Sequence, residues 1–444
     1  MMNSIIAGIG QRDITPPKGV RLAGYPHFPR ENTGFHDPLY VTSLYVFNGT
    51  TEFVFSTLDI LLFSKKYTTE VRQKLRQSCG IPERNILFTC SHTHSGPWAG
   101  GNPELKDTPE DKADIDPAYL AFLLQQIQES VEAAKATAFP AEIGFNSALC
   151  GAESGVGGNR RHKDGITDPF VNVIAIRDME KNIRGILTNY ALHPTFLHED
   201  STLVSSDYPH YLRTQLMKVY PDAVVGFAEG ASGDQSSRYF RQGQSFDEAE
   251  RVGTLMGKSA QTAIKTMTFT SSAELQHTYL EVPIPIREYP SIAELEEKVR
   301  IRTEQYEQLK AAGASYLDVQ NANLRMLGAE DMLGYALCLR DGKRIDCLED
   351  EIPAEISVFR IGDSVIVGLQ GEVFVEYALQ IRSNTLANHT FVFCLANGYL
   401  PGYCVNDEAY AEDGYEAGNC MLAPGFGQTM VQTALALLEE VFSA

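Results

Sequence analysis

The stretch Ile86-Leu-Phe-Thr-Cys-Ser-His92-Thr-His94-Ser-Gly-Pro97 places two imidazoles at alternate positions just beyond an apolar run. In extended backbone, residues two apart point the same way, so the spacing predicts that His92 and His94 face one site. Imidazole is the commonest metal ligand and the usual acid or base near neutral pH. Two surface histidines on a loop would give the same His-x-His pattern. Other apolar runs, however, end in similar chemistry: Asp59, His193 before Pro194, Asp234 and Ser236, Glu372, and Tyr399 with Tyr403. Loops beyond the carboxyl ends of strands are where α/β proteins bind ligands. Two or three imidazoles with a carboxylate form the inventory of a catalytic zinc, which takes about three protein ligands and leaves a position open for water.

The elements that must position these residues read as alternating strands and helices. Apolar, β-branched runs predict strands over 5–9, 41–46, 52–58, 86–90, 171–176, 185–192, 223–228 and 390–396. A hairpin is expected over 356–361 and 364–369, turned by Gly362-Asp363. Helical spacing predicts helices over 65–79, 116–137, 209–220, 245–266, 373–382 and 428–443, with a long polar loop after Pro97. The stretch 291–337, rich in Glu, Lys, Gln, Leu and Ala and broken at Gly313, predicts a helical hairpin, either inserted over the core or serving as an interface. The expected fold is α/β, with mixed β-sheets packed with helices in a single large domain over 1–444 and that hairpin inserted.

Of the 444 residues, 43% are hydrophobic and 21% charged, which suits a globular protein with a sizeable core. The formal net charge of -20 and the lack of a basic run argue against nucleic acid and anionic lipid as partners. The N-terminus lacks a basic segment and a full apolar core, and no apolar run approaches the roughly 20 residues of a membrane span. No stable membrane anchor and a cytoplasmic location are therefore expected. The eight cysteines have no C-x-x-C spacing and are expected to be reduced packing residues. Homo-oligomerisation through the helical hairpin is left open.

The chain resembles the catalytic domain of the neutral/alkaline non-lysosomal ceramidase family, zinc-dependent amidohydrolases. The resemblance is carried by Ala7-Gly-Ile-Gly, Asp13-Ile-Thr-Pro-Pro17, His36-Asp-Pro-Leu-Tyr40, His92 with Thr93-His-Ser-Gly-Pro97, and Asn159-Arg160-Arg161. It continues through His193-Pro194, Gly233-Asp-Gln-Ser236, Gly371-Glu372, and Tyr403 with Tyr415-Glu416. It implies Zn2+ held by His92, His193, Glu372 and Tyr403. His94, Arg160 and Tyr415 then fall among the non-ligand polar groups around the metal. Ser236 matches a serine proposed as nucleophile in the family, but no Gly-x-Ser-x-Gly elbow surrounds it.

The expected reaction is hydrolysis of an N-acyl bond by water activated at zinc, with His94 moving protons to the leaving amine. Tyr415 or Arg160 would meet the developing negative charge. Family members are typically secreted or membrane-facing and carry a further β-sandwich domain. The absence of both features here points to a small soluble N-acyl substrate rather than ceramide. The rival expectations are ceramide hydrolysis itself, a metal-dependent esterase, a serine hydrolase built on Ser236, and a metal-holding binding protein without turnover.

Overall fold

The computed structural model describes residues 4–99, 115–343, 345, 348 and 350–443. Strands β1 (Ile6–Asp13), β2 (Tyr40–Phe47), β3 (Glu52–Leu58), β4 (Ile86–Cys90), β5 (Phe139–Leu149), β6 (Phe170–Asp178), β7 (Ile183–Tyr190) and β8 (Val224–Glu229) form one sheet. Its order is β8-β7-β6-β5-β1-β2-β3-β4, with the short β9 (Phe269–Thr270) added on β5. A second sheet runs β10 (Leu275–Val282), β11 (Ala354–Ile361), β12 (Ser364–Leu369) and β13 (His389–Phe393). Both sheets are mixed: β3 and β4, β7 and β8, and β12 and β13 pair parallel, among antiparallel neighbours.

Side-chain alternation explains how the layers stack. Along β2, Val41 and Tyr45 enter one hydrophobic cluster, while Leu44 and Val46 enter another. Along β11, Ile356 and Val358 part in the same way from Phe359 and Ile361. The shared cluster joins Leu44, Phe55 and Leu87 of the first sheet to Phe359, Ile366 and Phe391 of the second, so the sheets pack face to face. Phe359 is fully buried there, and its truncation to alanine would cost about 3–5 kcal/mol.

Helices cover both outer faces. On the first sheet lie α1 (Lys65–Cys79) and α2 (Pro117–Ala136), with α3 (Tyr208–Met217) and α4 (Phe246–Lys265) further along. Ser64 caps the start of α1 by accepting from the Lys66 amide, and Gly80 ends it in the left-handed region at φ 74°. The helical hairpin comprises α5 (Ile292–Ala311), begun by a Ser291/Glu294 capping box, and α6 (Tyr316–Arg340). On the second sheet lie α7 (Val375–Ser383) and α8 (Phe426–Ser443). The chain is thus a mixed α/β fold in one large domain with a helical hairpin, layered helix, sheet, sheet, helix.

Two long strands, β5 and β10, were not expected from the sequence. The expected strand over 185–192 stops at Tyr190 and that over 390–396 at Phe393, so both hand over to loops earlier. Most of the polar loop expected after Pro97 lies outside the described residues, as does Cys347. The seven described cysteines are free thiols.

Candidate active site

The site lies where strands of both sheets end. His92 and His94 follow β4, His193 follows β7, Ser236 follows β8, Glu372 follows β12 and Tyr403 follows β13. His92 is not in extended backbone: its φ is 64°, and its amide donates to the Ile60 carbonyl at 3.0 Å. The alternation argued from the sequence therefore does not apply. The two imidazoles still meet, with ring centroids 4.9 Å apart, because the chain turns sharply after β4. His94 packs so tightly on Gly24 that a Cβ there would come within 2.6 Å of its ring. Arg30 holds the loop by donating to the carbonyls of His94 and Ala23.

His92 and His193 are buried and fixed alike. Nδ1 of His92 lies 2.8 Å from the Leu61 carbonyl, and Nδ1 of His193 lies 2.9 Å from the Ser232 carbonyl. A carbonyl only accepts, so each Nδ1 carries its ring's proton and each Nε2 presents a lone pair. Both lone pairs point at one carboxylate oxygen: Oε2 of Glu372 is 3.0 Å from Nε2 of His193 and 3.3 Å from Nε2 of His92. Burial, reinforced by Arg160, pushes the His193 imidazole down to about 4, so protonation does not supply the missing positive charge at neutral pH. Two imidazole Nε2 atoms and a carboxylate oxygen converging on one point are what a cation would satisfy.

His94 completes a group of three histidines whose ligand atoms lie within 4.8 Å of one another and which could hold a metal ion. Both of its ring nitrogens are buried without a hydrogen-bond partner. Burial, then His92 and His193, hold its imidazole well below the ordinary value.

Tyr403 stacks its ring 6.4 Å from His193 and meets Tyr415 edge-on at 6.0 Å. Burial and the Glu372 carboxylate push its hydroxyl well above the ordinary value, against the pull of Arg160. The Arg160 guanidinium sits 5.1 Å from the Tyr403 ring centroid, donates to the Gly233 carbonyl at 2.7 Å and pairs with Glu416 at 2.7 Å. Its neighbour Arg161 turns away to pair with Glu412. Tyr415 opens a short helical turn held against α6, where a Cβ on Gly328 would come within 3.0 Å of the Tyr415 Cα.

All eight residues singled out from the sequence (His92, His94, Arg160, His193, Ser236, Glu372, Tyr403 and Tyr415) border one cavity of about 780 Å³. Ser236 Oγ accepts from the Arg238 amide at 3.2 Å, and among the described residues no imidazole or carboxylate hydrogen-bonds to it. Two other strand-end carboxylates are structural. Asp59 accepts from the Tyr40 amide and pairs with Arg213, and Asp234 accepts from the Val375 amide and from Asn159.

Sequence reasoning missed much of the rest of the cavity wall. His198 stacks on Tyr25 at 5.5 Å, which in turn meets His94 at 5.1 Å. Arg238 and Arg241 line the cavity too; the only signal for them was their place just after Gly233-Asp-Gln-Ser236.

Comparison with known proteins places this architecture. The family model described as neutral/alkaline non-lysosomal ceramidase, N-terminal, matches residues 6–251. The neutral ceramidase of Mycobacterium tuberculosis is 23% identical over 491 residues, spanning 97% of this chain and 76% of that protein. The neutral ceramidase of Pseudomonas aeruginosa is 22% identical, spanning 98% of this chain and 72% of that protein. The crystal structure of the Pseudomonas aeruginosa neutral ceramidase superposes with a TM-score of 0.73 at 19% identity, covering 99% of this chain and 75% of that one. The family match makes the chain an amidohydrolase. The chain belongs to the neutral/alkaline non-lysosomal ceramidase family.

Proposed function

We propose that this protein is a zinc-dependent hydrolase that cleaves an N-acyl amide bond in a small soluble substrate. The observation that carries the reading is the convergence of the His92 and His193 Nε2 lone pairs on Glu372 Oε2, at 3.3 and 3.0 Å. Imidazole with carboxylate suits zinc better than magnesium or calcium, which favour oxygen ligands. His92, His193, Glu372 and Tyr403 would hold the ion. When bound, zinc supplies a Lewis acid and lowers the pKa of water from about 15.7 to about 7.

His94 is assigned outside this ligand set, although it is close enough to join it. A ligating histidine almost always donates its other N–H to a fixed acceptor. His92 and His193 do so, and neither nitrogen of His94 has a partner. A neutral, unanchored imidazole can instead take a proton on a ring nitrogen and pass it to the departing amine. Arg160, pinned by Glu416 and the Gly233 carbonyl, and the Tyr415 hydroxyl would donate to the negative charge that develops on the carbonyl oxygen. Such donors are worth about 3–4 kcal/mol each in well-studied sites.

The small substrate is supported by the cavity, whose volume of about 780 Å³ falls in the range of roughly 300–1,000 Å³ usual for small ligands. It is also supported by the net charge of -20, which opposes approach to an anionic bilayer. Among the described residues no helix is long and apolar enough to cross a membrane. Ceramide is the second reading, favoured by the names of the two bacterial relatives. Elemental analysis, followed by kinetics on short-chain N-acyl amines against long-chain ceramide in detergent-free vesicles, tests both. Faster turnover of vesicle-borne ceramide would overturn the small-substrate reading, and full activity without zinc would overturn the metal.

A further inference from the structure

The cavity lining mixes two chemistries. Leu61, Leu62, Trp98, Leu395 and Tyr399 line it and belong to a single hydrophobic cluster. Cationic groups line it too: Arg160, Lys163, Arg238 and Arg241, against the carboxylates Glu199 and Glu372. This reverses the balance of a chain with 57 acidic and 37 basic residues. Arg160 is already answered by its pairing with Glu416, while Glu199 accepts a hydrogen bond from Nδ1 of His198 at 2.7 Å.

Arg238 and Arg241 are not answered. Both are half-buried, and among the described residues neither forms an ion pair with a carboxylate. Arg238 Nη1 donates to the Arg160 carbonyl at 3.0 Å, and Arg241 Nη1 donates to Nε2 of His198 at 2.8 Å. Those bonds use few of the five donors on each guanidinium. Burial holds both groups below their ordinary value, with Glu416 pulling the other way on Arg238. A partly desolvated cation in no direct ion pair is costly. Arginines that only solubilise a surface would extend into water, and these two face the reaction cavity instead.

We infer that the substrate is an acyl amide whose amine part carries an anionic group, a carboxylate in the simplest case, read by Arg238 and Arg241 while the acyl chain lies along Leu61, Leu62 and Trp98. The guanidinium fork suits a carboxylate geometrically as well as by charge. The inference rests on the amide-hydrolase reading and deepens it. The reaction balances as a plain hydrolysis: the C–N bond breaks, a C–O bond forms from water, and the nitrogen takes up a proton. The products are a fatty acid and a free amino acid.

The test compares N-octanoylglycine with its neutral carboxamide, N-octanoylglycinamide, on the zinc-loaded full chain. Both kcat/KM and calorimetric Kd are read for wild type, Arg238→Gln, Arg241→Gln and the double variant. The wild type should favour the carboxylate by about 10- to 100-fold, the worth of charge-assisted hydrogen bonds. In the double variant the ratio should fall to within about threefold of unity. An equal response to both compounds in the wild type overturns the inference, whatever the variants do. So does a preference that survives in the double variant, because the metal and not the arginines would then be reading the anion. If neither amide is cleaved but the carboxylate still binds preferentially through the arginines, the hydrolase reading fails and the anion site stands.

Discussion

Glu372 and Tyr403 stand opposite each other in a two-residue parallel ladder, which also pairs Val373 with Cys404. The loops that leave the neighbouring parallel strands β12 and β13 are thereby locked in register. Paired residues on adjacent strands present their side chains to the same face, which puts the carboxylate and the phenol side by side. Backbone pairing thus helps set where the Tyr403 phenol lies.

If these two residues and the histidines hold zinc, His92→Ala, His193→Ala and Glu372→Ala should each retain less than about a tenth of the wild-type metal, since one lost ligand leaves the site short of its usual set. Elemental analysis after gel filtration reads this directly. Full metal in all three variants would show the ligand assignment to be wrong.

Tyr403→Phe and Tyr415→Phe should differ in kind. Removing the Tyr403 oxygen should weaken metal retention. Removing the Tyr415 hydroxyl should leave the metal in place and lower kcat by about 10²- to 10³-fold, as loss of a transition-state donor does. Metal content and kcat measured on the same preparations separate the two, and reversed results would exchange the roles.

Ser236→Ala should cost less than about tenfold in kcat, because among the described residues no base hydrogen-bonds to its hydroxyl. His92→Ala should cost far more. A covalent acyl adduct on Ser236, seen by mass spectrometry, would replace water with serine as the nucleophile.

A buried carboxylate outside the cavity gives a pH test. Glu351 accepts from Ser64 Oγ at 2.6 Å, from the Lys65 amide at 3.0 Å and from the Tyr399 amide at 2.9 Å. Burial pushes its carboxyl up from 4.5 to about 7. A carboxyl with a raised folded pKa favours folding most at low pH, and that stability is lost as pH rises from 4.5 through about 7. The loss is on the order of 3 kcal/mol at most. Glu351→Gln should flatten the fall in Tm between about pH 5 and pH 7 relative to wild type, whatever its absolute stability. An unchanged slope in thermal melts would count against the raised pKa.

The legible parts of the sequence were those whose local signals agree with the fold. Helix α1 is bracketed by Ser64 and Gly80, and β4 is an apolar run interrupted only by Thr89, so both boundaries could be read to the residue. Strand β5 was not legible: Pro140, Gly144 and Asn146 all oppose strand formation. It forms because β1, β6 and β9 supply its pairing partners. Strand β10 was hidden for another reason. It pairs only with β11, and Tyr279 and Leu280 are exposed, so it shows no clean alternation of buried and solvated residues. In the cavity, the residues carried by short motifs could be found in advance. Arg238, Arg241 and His198 belong to loops whose course depends on packing far away in sequence, and no local pattern announces them.

The imidazoles come from the ends of the first sheet, whereas Glu372 and Tyr403 come from the second. An ion held by both sets would act as a rivet through two sheets that otherwise meet through apolar packing and a few hydrogen bonds, such as that from Asn189 Nδ2 to the Val392 carbonyl. Free energy of metal binding would then appear as resistance to the sheets sliding apart. Reciprocally, a substitution at Phe359 or Phe391, remote from every ligand, would register as a change in zinc affinity.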